Sequence, residues 1–258
     1  MHKIAAIYDI HGNLPALEAV LQEIEREQPD LILVGGDVAS GPLPRQTLER
    51  LIILGDHARF VRGNADRDLV NHFDSHSSGS QLSKEGSLHN GWVASQLDLR
   101  HRDFLASFEE QFILTIEGLG TVLFCHGSPR SDEETLTAAT PDERLNVILA
   151  DVSQEIVVCG HTHMQFDRHH GGIRLINAGS VGMPYEGRPG AYWALLGPTI
   201  ELRRTTYDFQ QAAFLVRRSG YLDAEEFASE NILNPPTIAE ATAIFERGAS
   251  QRGVDTPE

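Results

Sequence analysis

Cysteine is nearly missing from this chain of 258 residues, which has only Cys125 and Cys159. Two thiols, each ending a short apolar run, cannot build the disulfide framework of a small secreted domain. They read as buried reduced side chains. Also missing is any apolar run near the roughly 18–20 residues that a membrane span needs. Positive charge is scarce: 21 Lys and Arg stand against 37 Asp and Glu, for a formal net charge of −16. Long polyanions bind mainly through cationic surface, so extended DNA or RNA is a poor partner. A small anion remains admissible, because a bound metal would govern the charge at short range. No internal repeat is visible, and nothing specifies an oligomer. Met1-His2-Lys3-Ile4 runs straight into an apolar strand pattern without a signal-peptide layout, which points to a cytoplasmic protein.

What the chain does have is a set of short apolar runs, each leading into a residue that can bind a metal. Lys3–Tyr8 leads to Asp9 and His11, and Leu31–Val34 leads through two glycines to Asp37. Arg59–Val61 leads to Asn64, Thr121–Cys125 to His126, and Ile156–Cys159 through Gly160 to His161 and His163. Buried strands read as short β-branched runs. Ligands in open α/β sheets collect beyond the carboxyl ends of the strands. The five ends therefore predict one convergent metal site.

The order of elements supports an α/β fold. Strands are expected at about 2–8, 31–34 and 58–62, with helices at about 14–27 and 45–54 between them. Asn13 is the expected cap of the first helix, and Pro15 falls in its first turn. This β-α-β-α-β opening predicts a parallel sheet. A helical insertion at about 67–110 follows, with a polar stretch at Ser75–Ser80 and a helix at about 88–107. Strands are then expected at about 111–117, 120–125, 155–159, 164–169, 173–177, 191–196 and 199–205, more antiparallel than the first set, with a helix at 141–150. Two packed sheets with helices outside fit this mixture. Residues 1–206 would form the main domain. Residues 207–248 would be a helical extension packed on it, with helices at about 208–218, 223–229 and 237–247 broken by Asn234-Pro235-Pro236. Residues 249–258 would be a frayed tail.

Each candidate ligand alone has an ordinary explanation as a turn residue, helix cap or surface histidine. Together they form a mixed oxygen and nitrogen donor set that suits Mn, Fe, Zn or Co better than Mg or Ca. In extended chain, residues i and i+2 face the same side, so Asp9 and His11, and again His161 and His163, are expected to reach one ion.

The series Asp9-x-His11, Gly36-Asp37, Gly63-Asn64, His126 and Gly160-His161-x-His163 resembles the calcineurin-like metallophosphoesterases. The likeness is greatest to their small bacterial and archaeal phosphodiesterase branch. Asp9–Asn13 and Asn177–Gly182 strengthen the match, which covers about 1–205. The resemblance implies a two-sheet β-sandwich flanked by helices, in four αββα layers. It implies one metal on Asp9, His11, Asp37 and His163, and a second on Asp37, Asn64, His126 and His161, with manganese favoured. Asp37 would bridge them, a hydroxide shared by the ions would attack phosphorus, and Asn64 would also bind the phosphate. The implied activity is hydrolysis of phosphodiesters or small phosphate esters. One departure stands out. Many members have a histidine after the asparagine that protonates the leaving group, and here that position is Ala65. Asp66 then reads as a partner for Arg62 or Arg67. Ala65 alone would make the rate depend steeply on leaving-group pKa unless an insertion histidine such as His76 or His89 substitutes. It also leaves open a metal- and nucleotide-binding regulatory protein with weak or no catalysis. Nuclease and protein phosphatase activities are further alternatives. Substrate contacts are expected from the insertion and the C-terminal extension.

Overall fold

The structure is a computed structural model that describes residues 1–74 and 84–252. The Ser75–Ser80 stretch with His76, and the final residues 253–258, lie outside the described residues. The first sheet has the order β10-β9-β1-β2-β3, formed by Ile200–Thr205, Ala191–Leu196, Ile4–Ile7, Leu31–Val34 and Ala58–Phe60. The second has the order β4-β5-β6-β8-β7, formed by Gln111–Ile116, Gly120–Cys125, Ile156–Cys159, Ile173–Asn177 and Phe166–His170. In the first sheet β1, β2 and β3 are parallel, while β9 is antiparallel to both β1 and β10. The second sheet is less antiparallel than expected: β5, β6 and β8 are parallel, and only the edge strands β4 and β7 run against them.

Period-two alternation builds the layers. Ile4, Ala6 and Tyr8 face the second sheet, where they meet Val122, Phe124, Val158 and Ile176. Ala5 and Ile7 face the other way, onto α1 (Leu14–Glu27) through Leu17, Val20 and Ile24. The outer face of the second sheet, with Leu123, Val157 and Leu175, is covered by Leu145 and Ile148 of α6 (Asp142–Ile148). Three cores between four layers are the αββα arrangement. Fully burying one such aliphatic side chain contributes about 1.5–3 kcal/mol. Helix α1 begins where Asn13 accepts the Ala16 N–H, a cap worth about 1 kcal/mol.

Between β3 and β4 lie α2's neighbours in the insertion: α3 (Asn64–Asp74), α4 (Lys84–Ser95) and α5 (Leu99–Ala106), with α2 itself at Pro44–Ile52. The single helix expected at 88–107 is two helices. Asp98 interrupts it by accepting the Arg100 and His101 N–H groups, while His101 returns a bond to the Asp98 N–H. After β10 come α7 (Phe209–Arg217) and α8 (Ala224–Glu226), which runs into a π-helical stretch at Phe227–Leu233. Next is α9 (Ile238–Arg252), which continues beyond its expected end at 247. Val216, Phe227 and Ile232 give these helices their own small core, closed by Met183 and Tyr207. No described helix is long and apolar enough to cross a membrane.

Candidate metal centre

The carboxyl ends of β1, β2 and β3 meet those of β5 and β6 at one edge of the sandwich. The backbone there is not extended, contrary to the i, i+2 expectation. Asp9, His11, Asp37, His161 and His163 all have positive φ, between 46° and 64°, and the remaining non-glycine case among the described residues is Gln28, which ends α1. A left-handed non-glycine residue costs about 1–3 kcal/mol and persists only where its surroundings over-determine it. Here the surroundings are a ladder of bonds across the strand ends. The Asp9, His11 and Gly12 N–H groups donate to Gly36, Asp37 and Val38. Glycine permits the closest approaches. A Cβ on Gly63 would lie 2.1 Å from Asp37 Oδ1, and one on Gly160 would lie 2.5 Å from Asp9 Oδ2.

Two groups of donors result. Asp9, His11 and His163 bring one potential ligand atom each to within 4.8 Å of one another, and so do Asp37, His126 and His161. Asp37 reaches both groups, with Oδ2 3.8 Å from His11 Nε2 and 3.4 Å from His126 Nε2. Asn64 is the first residue of α3, and its Oδ1 lies 3.2 Å from His126 Nε2. All seven residues singled out in the sequence come together, but His161 and His163, expected from their spacing to reach one ion, fall in different groups, because their left-handed backbone is not the extended chain that the spacing rule assumes.

The donors are held in the state a cation requires. His11, His126 and His163 each pair Nδ1 with a backbone carbonyl, of Ser40, Gly35 and Met183 respectively. Donating Nδ1–H to these carbonyls aims Nε2 into the donor groups, where in the neutral ring it is a lone pair, the tautomer that binds metal. His11 Nε2 and His163 Nε2 then face each other at 3.1 Å, an arrangement that a cation satisfies. Asp9 Oδ1 is buried without a hydrogen-bond partner, while Oδ2 accepts the His161 N–H at 2.9 Å. An orphaned buried carboxylate oxygen costs at least about 1–3 kcal/mol, which an ion would relieve. On these observations the residues fit a metal.

Burial, reinforced by His126, lowers the His161 imidazole to about 4, so it is neutral at pH 7. Burial and the neighbouring His163 lower His11 as well. Burial also opposes a charged His126, but the Asp37 carboxylate beside it prevails and holds it up to about 10. Asp37 in turn is held below the usual carboxylate range. A bound cation would replace that proton.

Asp66 corrects the sequence reading. It pairs with neither Arg62 nor Arg67, whose partners are Glu110 on one side and Asp68, Asp132 and Glu133 on the other. Its carboxylate is buried and accepts the N–H groups of Asp37 at 2.8 Å, Val38 at 3.0 Å and Gly63 at 3.0 Å. It therefore ties the end of β2 to the loop after β3. Burial and the Asp37 charge push its pKa up to about 7.

Other contributors lie outside the ligand series, and of those that support the ligands only the Asn177–Gly182 stretch was singled out in the sequence. Asn177 donates to the Gly160 carbonyl and to Thr162, and Ser180 donates to the Asp9 carbonyl, so the Asn177–Gly182 turn props both sheets' ligand loops. Tyr185 lies 4.8 Å from the His163 ring, and Phe245 of α9 lies 6.3 Å from that of His161, forming an aromatic wall. A cleft of about 300 Å³ beside the donors is lined by His11, Asn64, Ala65, Asp68, His89 and Tyr221, among others. No spacing rule in the sequence links these groups.

Residues 2–197 match the family model described as the calcineurin-like phosphoesterase superfamily domain. The chain is 28% identical over 236 residues to an uncharacterized protein of Methanocaldococcus jannaschii, a match covering 81% of this chain and 89% of that one. It is 25% identical to the phosphodiesterase YfcE of Escherichia coli, over 76% of this chain and 88% of that one. Among solved structures it is similar to a metallophosphoesterase from Sphaerobacter thermophilus. That match has 25% identity and a TM-score of 0.69, and covers 88% of this chain and 97% of the other.

Proposed function

The chain belongs to the calcineurin-like phosphoesterase superfamily and is a phosphoric ester hydrolase, and from that premise we propose that it hydrolyses phosphodiesters or small phosphate esters with two divalent metal ions. Asp9, His11, Asp37 and His163 would hold one ion, and Asp37, Asn64, His126 and His161 the other. When bound, the pair supplies an activated water as nucleophile and positive charge for the phosphoryl oxygens. The chain's own part is placement. The Ser40, Gly35 and Met183 carbonyls hold three imidazoles in the binding tautomer. Asp66 holds the Asp37 backbone, and the Ala65 N–H holds Asp37 Oδ1 at 2.8 Å. Asn64 would offer its amide N–H groups to a phosphate oxygen.

The observation that carries this reading is Asp37, whose one carboxylate oxygen stands within 4 Å of a histidine in each group. Mixed oxygen and imidazole donors favour Mn, Fe, Zn or Co, with Mn first. Purified protein is expected to carry about two transition-metal ions, by the two-site reading of a shared carboxylate. With Mn(II) it should hydrolyse an aryl phosphodiester. Asp37→Asn is expected to reduce turnover to background. His126→Ala and His163→Ala are each expected to lower the metal content. Full turnover in the metal-stripped protein would refute the proposal. A second reading, a metal- and nucleotide-binding regulatory protein, is favoured by Ala65, and tight nucleotide binding without turnover would establish it.

A further inference from the structure

A metal-binding imidazole is ordinarily oriented by the hydrogen bond that its other ring nitrogen makes. His11, His126 and His163 follow that rule, each with Nδ1 on a backbone carbonyl. His161 does not. Among the described residues its ring makes no hydrogen bond, and only its backbone N–H is tied, to Asp9 Oδ2 at 2.9 Å. Two other rings bound it instead, His126 at 5.2 Å and Phe245 of α9 at 6.3 Å between centroids. Phe245 meets Tyr185 at 6.3 Å, and Tyr185 meets His163 at 4.8 Å, so a row of rings joins the two donor groups. Of these rings only Phe245 lies outside residues 2–197, the span that matches the family model. The helix that carries it is anchored one residue further on. Glu246 accepts the Thr137 hydroxyl at 2.6 Å, the Thr140 hydroxyl at 3.1 Å and an Arg144 N–H at 3.1 Å. The loop that holds Glu246 also holds the ligand segment, because Thr162, between His161 and His163, donates its hydroxyl to the Leu136 carbonyl at 2.9 Å.

We propose that Phe245 is a positioning residue for His161, and that docking of α9 completes the second metal position. The proposal rests on the two-metal reading argued above. An imidazole without a hydrogen bond turns about its side-chain torsions, and binding an ion must then stop that motion at a cost in entropy. Phe245 removes part of the motion beforehand, through the tilted packing that aromatic rings favour at this separation. It supplies by packing what the Ser40, Gly35 and Met183 carbonyls supply to the other three imidazoles. Glu246 acts one step further back, because seating α9 keeps Phe245 on His161. The two positions therefore differ in their dependence on the C-terminal helix. The first, on Asp9, His11, Asp37 and His163, has both its imidazoles fixed by the backbone and fills whether or not α9 is docked. The second, on Asp37, Asn64, His126 and His161, fills tightly only when it is.

The test is a Mn(II) titration of the metal-free full chain, followed by calorimetry and by electron paramagnetic resonance, which separates a single ion from a coupled pair. The wild type should take up two ions. Losing a support behind a ligand lowers metal affinity about 10–100-fold, so Phe245→Ala should weaken the second ion by that factor and leave the first within about twofold. Phe245→Tyr keeps the ring and should bind both ions as the wild type does. Glu246→Ala touches no ligand, yet should weaken the second ion in the same direction and speed its loss to a chelator. A further measurement needs neither ion nor substrate. In metal-free protein, the NMR signals of the His161 ring should shift more than those of His11 in both alanine variants. Equal weakening of both ions in Phe245→Ala, or none, overturns the role of Phe245. An unchanged second ion in Glu246→Ala overturns that of the anchor, and this variant decides the role of α9 if Phe245→Ala does not fold. A wild type that binds fewer than two ions refutes the two-metal reading and this proposal together, whereas two ions that ignore both substitutions refute this proposal alone.

Discussion

Asp66 accepts three backbone N–H groups with two oxygens, a task asparagine cannot repeat, because its amide nitrogen would point a donor at donors. Asp66→Asn is therefore expected to destabilise the fold by about 1–3 kcal/mol, read as a lower urea midpoint. The same loss loosens Asp37, so metal affinity should fall about 10–100-fold, measured by competition with a chelator. The sequence offered Arg62 and Arg67 as partners because they are near in number. The true partners are backbone groups, one three positions away and two 28 and 29 positions away, and backbone donors leave no mark on side-chain identity. The candidate ligands were legible only jointly, because a lone histidine or aspartate has an ordinary explanation while imidazoles and carboxylates at five strand ends have few other uses in combination.

Among elements, those shaped by local rules were read closely. Helix α1 spans Leu14–Glu27 as its apolar period and its Asn13 cap required, and β2, β5, β8 and β9 match their expected ranges. The long insertion helix failed because a capping box at Asp98 outweighs helical periodicity. The handedness at Asp9, His11, Asp37, His161 and His163 was also out of reach, since only neighbouring strands impose it. An element-scale pH effect follows from the join of α7 to α8. Glu225 bonds Arg217 at 2.7 and 2.8 Å and accepts the Ser229 hydroxyl at 2.9 Å, which lowers its pKa from 4.5 to about 2. A depressed folded pKa means the pairing stabilises the fold above pH 4.5, and that this contribution is lost as the pH falls toward 2. The pair is exposed, so the effect is modest. Urea midpoints measured across that range should fall less steeply in Arg217→Ala than in the wild type.

For the whole molecule, the net charge of −16 repels anionic substrates at long range. Hydrolysis of a small anionic diester, measured as kcat/KM, is expected to rise with ionic strength up to about 0.15 M, where the screening length is about 8 Å. A long single-stranded DNA should be the poorer substrate at every salt concentration. A rate that falls with salt would mean a cationic path into the site overrides the acidic surface.

From the sequence alone came the class of fold and the seven candidate ligands; the departure at Ala65 showed only against the family that the chain resembles. These depend on residue type and short spacing, which survive in the linear chain. Only the tertiary structure decided what surrounds them: the left-handed turns, the backbone bonds to Asp66, the wall at Tyr185 and Phe245, and the meeting of His89 with Asp223. Those features join parts of the chain with no shared period or motif. They exist because closing two sheets on one another brings the insertion and the C-terminal helices to the same edge.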